Sequence, residues 1–284
     1  MSVEPRHFPA PAKLNLMLRV TGRRADGYHL LQTVIRFVDY GDTLRFHVRD
    51  DGVITRANDV AGVAAADDLA VRAARLLQQA SGTQLGADVT LEKRLPIGGG
   101  LGGGSSDAAT TLIALNHLWR TGLPRGRLLA LALELGADVP VFVNGENALA
   151  EGIGERLTPL DLPPAWYLVL VPRVAVPTAR IFADPELKRD SKTIRIQSFS
   201  AEQAGNDLEP VICRAYPEVA RHLAWLRRAG PAWVTGSGAC VFAAFATESA
   251  AREVWAQAPA GMQGFIAQGL ERHPLRDLVR DSVK

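Results

Sequence analysis

Along residues 12–20, apolar and polar side chains alternate. Leu14, Leu16, Leu18 and Val20 fall on one side of an extended chain, and Lys13, Asn15, Met17 and Arg19 on the other. A period of two marks a strand with one packed face. It sets Lys13 and Asn15 side by side on the face left open to chemistry. Residues 30–39 and 43–48 read as two further strands, turning at Tyr40-Gly41-Asp42. At residues 67–79 the spacing becomes helical, with an acidic start and Ser81-Gly82 as a stop. Residues 89–91 predict a short strand. Ala108, Leu112, Leu115 and Trp119 predict a helix over 106–119, and a further helix over 128–135 is closed by Gly136.

Asp161-Leu162-Pro163-Pro164 reads as a linker, which divides the chain into domains 1–160 and 161–284. Beyond it the pattern predicts a buried strand over 167–171, a polar surface excursion over 188–200 and a helix over 217–228. A strand, turn, strand unit is centred on Thr235-Gly236-Ser237-Gly238, followed by a helix over 249–257. No internal repeat is visible. Hairpin-like strands and separate helices make the fold class α+β rather than a strict βαβ alternation.

Composition narrows the function classes. The chain has 284 residues, 47% hydrophobic and 22% charged, with a formal net charge of +2. These are ordinary values for a soluble globular protein. Basic residues are scattered, so no nucleic-acid partner is expected. Cys213 and Cys240 lie in no paired or metal-binding spacing, which argues against a disulfide framework or a zinc site. Residues 1–11 lack the apolar core of a signal peptide. No run of about 20 apolar residues could span a bilayer. A cytoplasmic protein without membrane partners is expected.

The densest chemical signal is Pro96-Ile97-Gly98-Gly99-Gly100-Leu101-Gly102-Gly103-Gly104-Ser105-Ser106-Asp107. So many glycines cost backbone entropy unless the backbone must approach something closely or adopt positive φ. Bare amides running into a helix N-terminus favour an anion, and a polyphosphate is the natural guest. Two other readings stand beside this one. A flexible linker is opposed by the apolar helix that follows at once. A dinucleotide fingerprint, as in an oxidoreductase, is formally met by Gly98, Gly100 and Gly103. However, Pro96 stands where a buried strand should end, and no acidic residue closes a following strand. The Gly-Lys-Ser/Thr of a Walker loop is absent.

Residues 96–107 resemble the second motif of the GHMP kinases. Pro11-Ala12-Lys13-Leu14-Asn15-Leu16 with Asp26-Gly27-Tyr28-His29 resembles the first, and Thr235-Gly236-Ser237-Gly238-Ala239-Cys240 the third. Gly136-Ala137-Asp138-Val139-Pro140 and Val176-Pro177-Thr178 with Phe182 agree in order and spacing. The likeness runs over nearly the whole chain. It is strongest to the branch whose acceptor is a cytidine diphosphate-linked methylerythritol. Asp68 departs from the family's usual Asn, and Ala179 from a frequent Pro.

The resemblance implies a two-domain fold, a ribosomal protein S5 domain 2-like N-terminal domain plus a ferredoxin-like α+β C-terminal domain, with the active site between them. It implies ATP and Mg²⁺, with Lys13 and Asp138 flanking the acceptor hydroxyl and residues 96–106 cradling the nucleotide phosphates. Tyr28 and Phe182 would sandwich the cytosine, His29 would bond its edge, and Asn15 and Thr178 would contact the rest of the acceptor. No metal ligand is assigned, and a monomer or weak homodimer is expected. Local readings remain beside these roles: Asp138 as a turn residue, Lys13 as a solvated strand lysine, Phe182 as core, and 235–238 as an ordinary hairpin turn. Another small-molecule kinase of the superfamily, or a silent nucleotide-binding relative, would share the glycine loop.

Overall fold

The computed structural model describes residues 7–196, 198–279 and 281. Its framework is a long antiparallel hairpin, β1 (Phe8–Arg23) and β2 (His29–Arg49). The predicted turn at Tyr40-Gly41-Asp42 is instead a bulge inside a single 21-residue strand. The register jumps from Pro11 opposite Gly41 to Ala12 opposite Val38. Gly41 is required there, because a Cβ would lie 2.2 Å from the Ala10 carbonyl oxygen. The bulge also divides the outer edge of β2. Residues 31–35 pair with β5 (Ala148–Gly152) and residues 43–49 with β4 (Gly86–Glu92).

A second bulge overturns the simple alternation in β1. The register shifts between Asn15 and Met17, so Met17 joins Leu14 and Leu16 in the core while Leu18 turns to the cavity described below. A bulge inserts one residue and re-aims those after it. Lys13 and Asn15 keep the shared face that the sequence predicts.

Among the described residues the first sheet has seven strands, in the order β3 (Ile54–Arg56), β4, β2, β1, β8 (Gly205–Asn206). Beside this path β5 pairs with β2, and β6 (Arg156–Pro159) with β5. Four helices cover it: α1 (Leu69–Ser81), α2 (Gly103–Leu118), α3 (Arg125–Leu135) and α4 (Val139–Asn144). The second sheet runs β11 (Gly264–Gln268), β7 (Trp166–Leu170), β10 (Val241–Phe245), β9 (Ala232–Val234), every pair antiparallel. Helices α5 (Thr178–Ala183), α6 (Glu209–Ala215) and α7 (Pro217–Leu226) lie between β7 and β9 in the chain, and α8 (Glu248–Trp255) between β10 and β11. That order is the split βαβ arrangement of a ferredoxin-like domain.

Several elements escaped the hydropathy pattern: α4, α5, α6, β5, β6 and β11. Most are five to seven residues long, too short to show a period. The stretch over 188–200 is not a bare surface excursion. Ile194 exchanges hydrogen bonds with the Gln32 side chain at 2.9 Å, and Ile194, Ile196 and Phe199 pack on the core between the sheets. The last described residues return to the first half, where Leu275 and Val279 join its core.

Candidate active site

A cavity of about 900 Å³ lies between the two sheets' surroundings and carries nearly all the residues the motifs single out. Its floor is β1. The Lys13 side chain is 3% exposed, and its Nζ lies 2.5 Å from Asn15 Oδ1 and 3.4 Å from Asp138 Oδ2. Asn15 is fixed in turn: its Nδ2 donates to Thr33 Oγ1 at 2.8 Å, and its backbone N–H donates to Thr235 Oγ1 at 3.0 Å. Thr33 Oγ1 donates onward to the Met17 carbonyl at 2.6 Å. A buried lysine is tolerated only when its charge has partners, and here both partners line the cavity.

Asp138 occupies the N-cap position of α4, yet its side chain makes no cap hydrogen bond. A capping carboxylate would turn back to the helix amides. This one is 47% exposed and pairs with Lys13 across the cavity. The plain turn-residue reading therefore leaves its side chain unexplained, and the pairing explains it.

The glycine loop over residues 98–104 runs into the N-terminus of α2, which begins at Gly103, earlier than the sequence predicts. Gly102 is the N-cap at φ 73°, and a Cβ there would lie 2.9 Å from Phe142 Cζ and 3.1 Å from Lys13 Cγ. Gly100 has φ 76°, and its Cβ would lie 2.2 Å from the Thr235 carbonyl oxygen. The loop is thus wedged between Lys13 and the second glycine loop over 235–240. Backbone bonds Ala239 N–H to Gly98 O (3.3 Å), Cys240 N–H to Gly99 O (3.1 Å) and Lys13 N–H to Leu101 O (3.0 Å) close the seam. Pro96, Ile97, Gly98, Gly99, Gly100, Leu101, Gly102, Gly103, Gly104 and Ser105 all line the cavity. Ser106 does not: it is fully buried, and its hydroxyl donates to the Pro11 carbonyl at 2.7 Å.

At another part of the wall, Tyr28, His29, Thr178 and Phe182 come together. Tyr28 stands 57% exposed on the hairpin loop, where Asp26 Oδ1 accepts its N–H at 3.2 Å. The Phe182 ring packs against His29, with centroids 4.8 Å apart and planes at 35°. Thr178 Oγ1 and Ser237 Oγ are 2.7 Å apart, joining α5 to the second glycine loop. Burial, then the cations Arg189 and Arg23, lower the His29 pKa below its ordinary value.

Relatives of known kind match this chain over most of its length. The GHMP kinases N terminal domain profile matches residues 68–146, and the GHMP kinases C terminal profile residues 187–264. A 4-diphosphocytidyl-2-C-methyl-D-erythritol kinase of Nitrosospira multiformis is 64% identical over 272 residues, covering 95% of this chain and 92% of its own. That of Thiobacillus denitrificans is 61% identical, covering 96% and 98%. A crystal structure of 4-(cytidine 5'-diphospho)-2C-methyl-D-erythritol kinase superposes with a TM-score of 0.77 at 33% identity, covering 93% of this chain and 99% of that one.

The chain belongs to the 4-diphosphocytidyl-2-C-methyl-D-erythritol kinases, a branch of the GHMP kinases. Lys13, Asn15, Tyr28 and His29 fall before both matched domain profiles.

The kinase also has a charged cluster beside the cavity, lined there by Lys93 and Asp107, to which the sequence motifs assign no role. Lys93 Nζ contacts Asp42 Oδ2 and lies 2.7 Å from Asp107 Oδ2. Asp42 Oδ1 accepts the N–H groups of Arg94 (2.6 Å) and Leu95 (2.8 Å), fixing the entrance to the glycine loop. Burial pushes the Asp107 pKa above its ordinary value; Lys93 pulls the other way, and the Asp42 carboxylate adds to the rise. Burial alone would lower the Lys93 pKa, but the two carboxylates outweigh it and hold it above the usual lysine value. No short motif joins these three positions, because β2, the end of β4 and α2 bring them together. Asp68, where the family usually has Asn, is likewise engaged: Oδ1 caps Ala70 N–H at 2.9 Å and Oδ2 pairs with Arg56 Nη1 at 3.0 Å.

Proposed function

We propose that this kinase transfers the γ-phosphoryl group of ATP to the 2-hydroxyl of 4-diphosphocytidyl-2-C-methyl-D-erythritol, in non-mevalonate isoprenoid synthesis. One observation carries the reading. The Lys13–Asp138 pair, 3.4 Å apart, lies on the same cavity as a glycine loop entering a helix N-terminus and an aromatic group of Tyr28, His29 and Phe182. Phosphoryl transfer asks a protein mainly to position reactants and neutralise charge. Asp138 would accept the proton of the attacking hydroxyl through a carboxylate oxygen. Lys13 would stabilise the oxygens of the group in transit. The new bond joins the substrate oxygen to the γ-phosphorus while the bond to the ADP oxygen breaks, so no covalent enzyme intermediate is needed.

The amides of residues 98–104 and the Ser105 hydroxyl would receive the phosphates, since the positive end of α2 favours anions. Ser106 would support the loop from behind through Pro11. Among the described residues no three His, Cys, Asp or Glu side chains converge as a metal cage. A Mg²⁺ would be held chiefly by phosphate oxygens and water and would offset the charge of the phosphates. Planar stacking on Phe182 and Tyr28 with an edge bond from His29 would hold the cytosine, and Asn15 and Thr178 would face the remainder of the acceptor.

In this reading residues 1–160 supply the nucleotide side and 161–284 much of the acceptor side. The protein would work in the cytoplasm as a monomer or weak homodimer, without nucleic-acid or membrane partners. No helix among the described residues is long and apolar enough to cross a membrane.

The test is ADP release with ATP and Mg²⁺, offering the cytidine-linked acceptor, homoserine and mevalonate in turn. Release with the first alone is expected. Release with another alcohol and none with the first would overturn the acceptor assignment and keep the kinase.

A further inference from the structure

Helix α4 has six residues and carries Asp138 at its N-cap. So short a helix does not hold its shape by propensity alone. It also lacks the usual support at its start, because the Asp138 carboxylate faces Lys13 and makes no cap hydrogen bond. The support comes at the other end. Arg125, the buried first residue of α3, sets its guanidinium against the last turn of α4. Nη1 donates to Val143 O at 2.8 Å and to Asn144 O at 3.3 Å. Such a cation meets both the bare carbonyls and the negative end of a helix. The same guanidinium grips the end of the chain. Nη2 donates to Arg276 O at 2.8 Å and to Val279 O at 3.0 Å, and Nε donates to Asp281 Oδ1 at 2.5 Å. Arginine's planar fork is thus shared between two segments far apart in sequence.

Further contacts join those two segments. His273 N–H donates to Gly145 O at 2.9 Å, and Arg276 pairs with Glu146 at 3.0 Å. Asn147 Nδ2 donates to the carbonyls of Leu270 (2.8 Å) and Glu271 (2.9 Å). Gly145 is the C-cap of α4 at φ 77°, and a Cβ there would lie 2.9 Å from Arg276 Cγ, so the close fit requires glycine. The His273 ring meets Phe37 edge-on at 5.8 Å, and Phe37 packs on Phe142 of α4 at 5.4 Å. Arg125, His273 and Arg276 do not line the cavity, whereas Asp138 and Val141 do. These three residues reach the site through α4.

We propose that Arg125 is a positioning residue: with the segment over 270–279 it clamps the C-terminal end of α4, and so holds the Asp138 carboxylate beside Lys13. The inference rests on Asp138 as the base in the reading above. Six residues rise only about 9 Å, so the two ends of α4 move as one piece. A loosened Asp138 has a competing use, since a carboxylate at an N-cap can turn back to the helix amides. The clamp fixes α4 without drawing on that carboxylate, which stays free for the acceptor.

Two measurements on the full chain test this. The first is hydrogen exchange without ligands. In Arg125→Met the Gly145 N–H, which donates to Val141 O at 3.0 Å, should exchange about tenfold faster or more, while the amides of α1 keep their rates. The second is single-turnover transfer at saturating ATP, Mg²⁺ and cytidine-linked acceptor, in the native chain, Arg125→Met, Asp138→Asn and the double variant. Arg125→Met should slow transfer about tenfold to a hundredfold. The double variant should be no slower than Asp138→Asn, because a residue that acts through Asp138 has nothing left to position. If Arg125→Met does not fold, Arg125→Lys, which keeps the charge and loses the fork, enters both measurements with the same pattern expected. Unchanged exchange at Gly145 overturns the inference. So does equal slowing by the Arg125 change in the native and Asp138→Asn backgrounds, which would mean that Arg125 acts on the fold at large. Native-rate transfer in Asp138→Asn, with Gly145 loosened in the Arg125 variant, would instead contradict the base reading and leave the clamp in place.

Discussion

The loop over 98–104 leads into a 16-residue helix, whereas the loop over 235–240 joins two strands, and the two meet beside Lys13. Both are glycine-rich, yet their polar groups are used differently. In the first, the helix N-terminus and Ser105 face the cavity. In the second, the side chains are spent inside the protein: Thr235 Oγ1 accepts from Asn15, and Ser237 pairs with Thr178. Its carbonyls crowd Gly100. One loop leaves its helix N-terminus and Ser105 facing the cavity, and the other holds that loop, Asn15 and α5 in register. A glycine run therefore does not by itself mark a phosphate cradle; what matters is whether its donors are already taken.

Substitutions separate the two roles. Gly100→Ala should have the largest effect. It puts a Cβ 2.2 Å from Thr235 O at φ 76°, so strain and overpacking together should cost about 2–6 kcal/mol. Urea unfolding would read the loss, and kinase activity should fall with it. Thr235→Val tests the supporting loop with almost no change of shape. It leaves the buried Asn15 N–H unpaired, and about 1–3 kcal/mol of stability should go, together with activity, as Asn15 shifts under Lys13. Ser105→Ala should do the opposite: an unchanged melting temperature, but a KM for ATP raised about tenfold, the size of one hydrogen bond to a charged group. If Thr235→Val changed only the KM for ATP, or Ser105→Ala only stability, the two loops would have been assigned the wrong way round.

The contrast also shows what the sequence could express. Lys13 and Asn15 were legible as neighbours because a strand's period carries that information directly, and the loop over 98–104 because its composition is extreme. Met17 and the Tyr40-Gly41-Asp42 segment were misread for one reason. A bulge leaves no periodic trace, and it depends on which strands pair. The polar stretch over 188–200 looked like surface because two isolated isoleucines and a phenylalanine do not make a period, although they pack between the sheets. Asp138 was ambiguous on local sequence and took its role from the resemblance; that its carboxylate stands uncapped beside Lys13 depends on α4, itself too short to predict. The Asp42–Lys93–Asp107 cluster and the Arg125 clamp were out of reach, since each is assembled by tertiary contact from distant positions.

In the proposed mechanism Asp138, paired with Lys13, takes the proton from the acceptor hydroxyl. That step is tested most directly by single-turnover phosphoryl transfer in the native chain and in Asp138→Asn, with the affinities for ATP and for the cytidine-linked acceptor measured alongside. Loss of a general base should slow transfer about a hundredfold to ten-thousandfold, while both ligands still bind and the fold is kept. Transfer at the native rate in Asp138→Asn would contradict the claim.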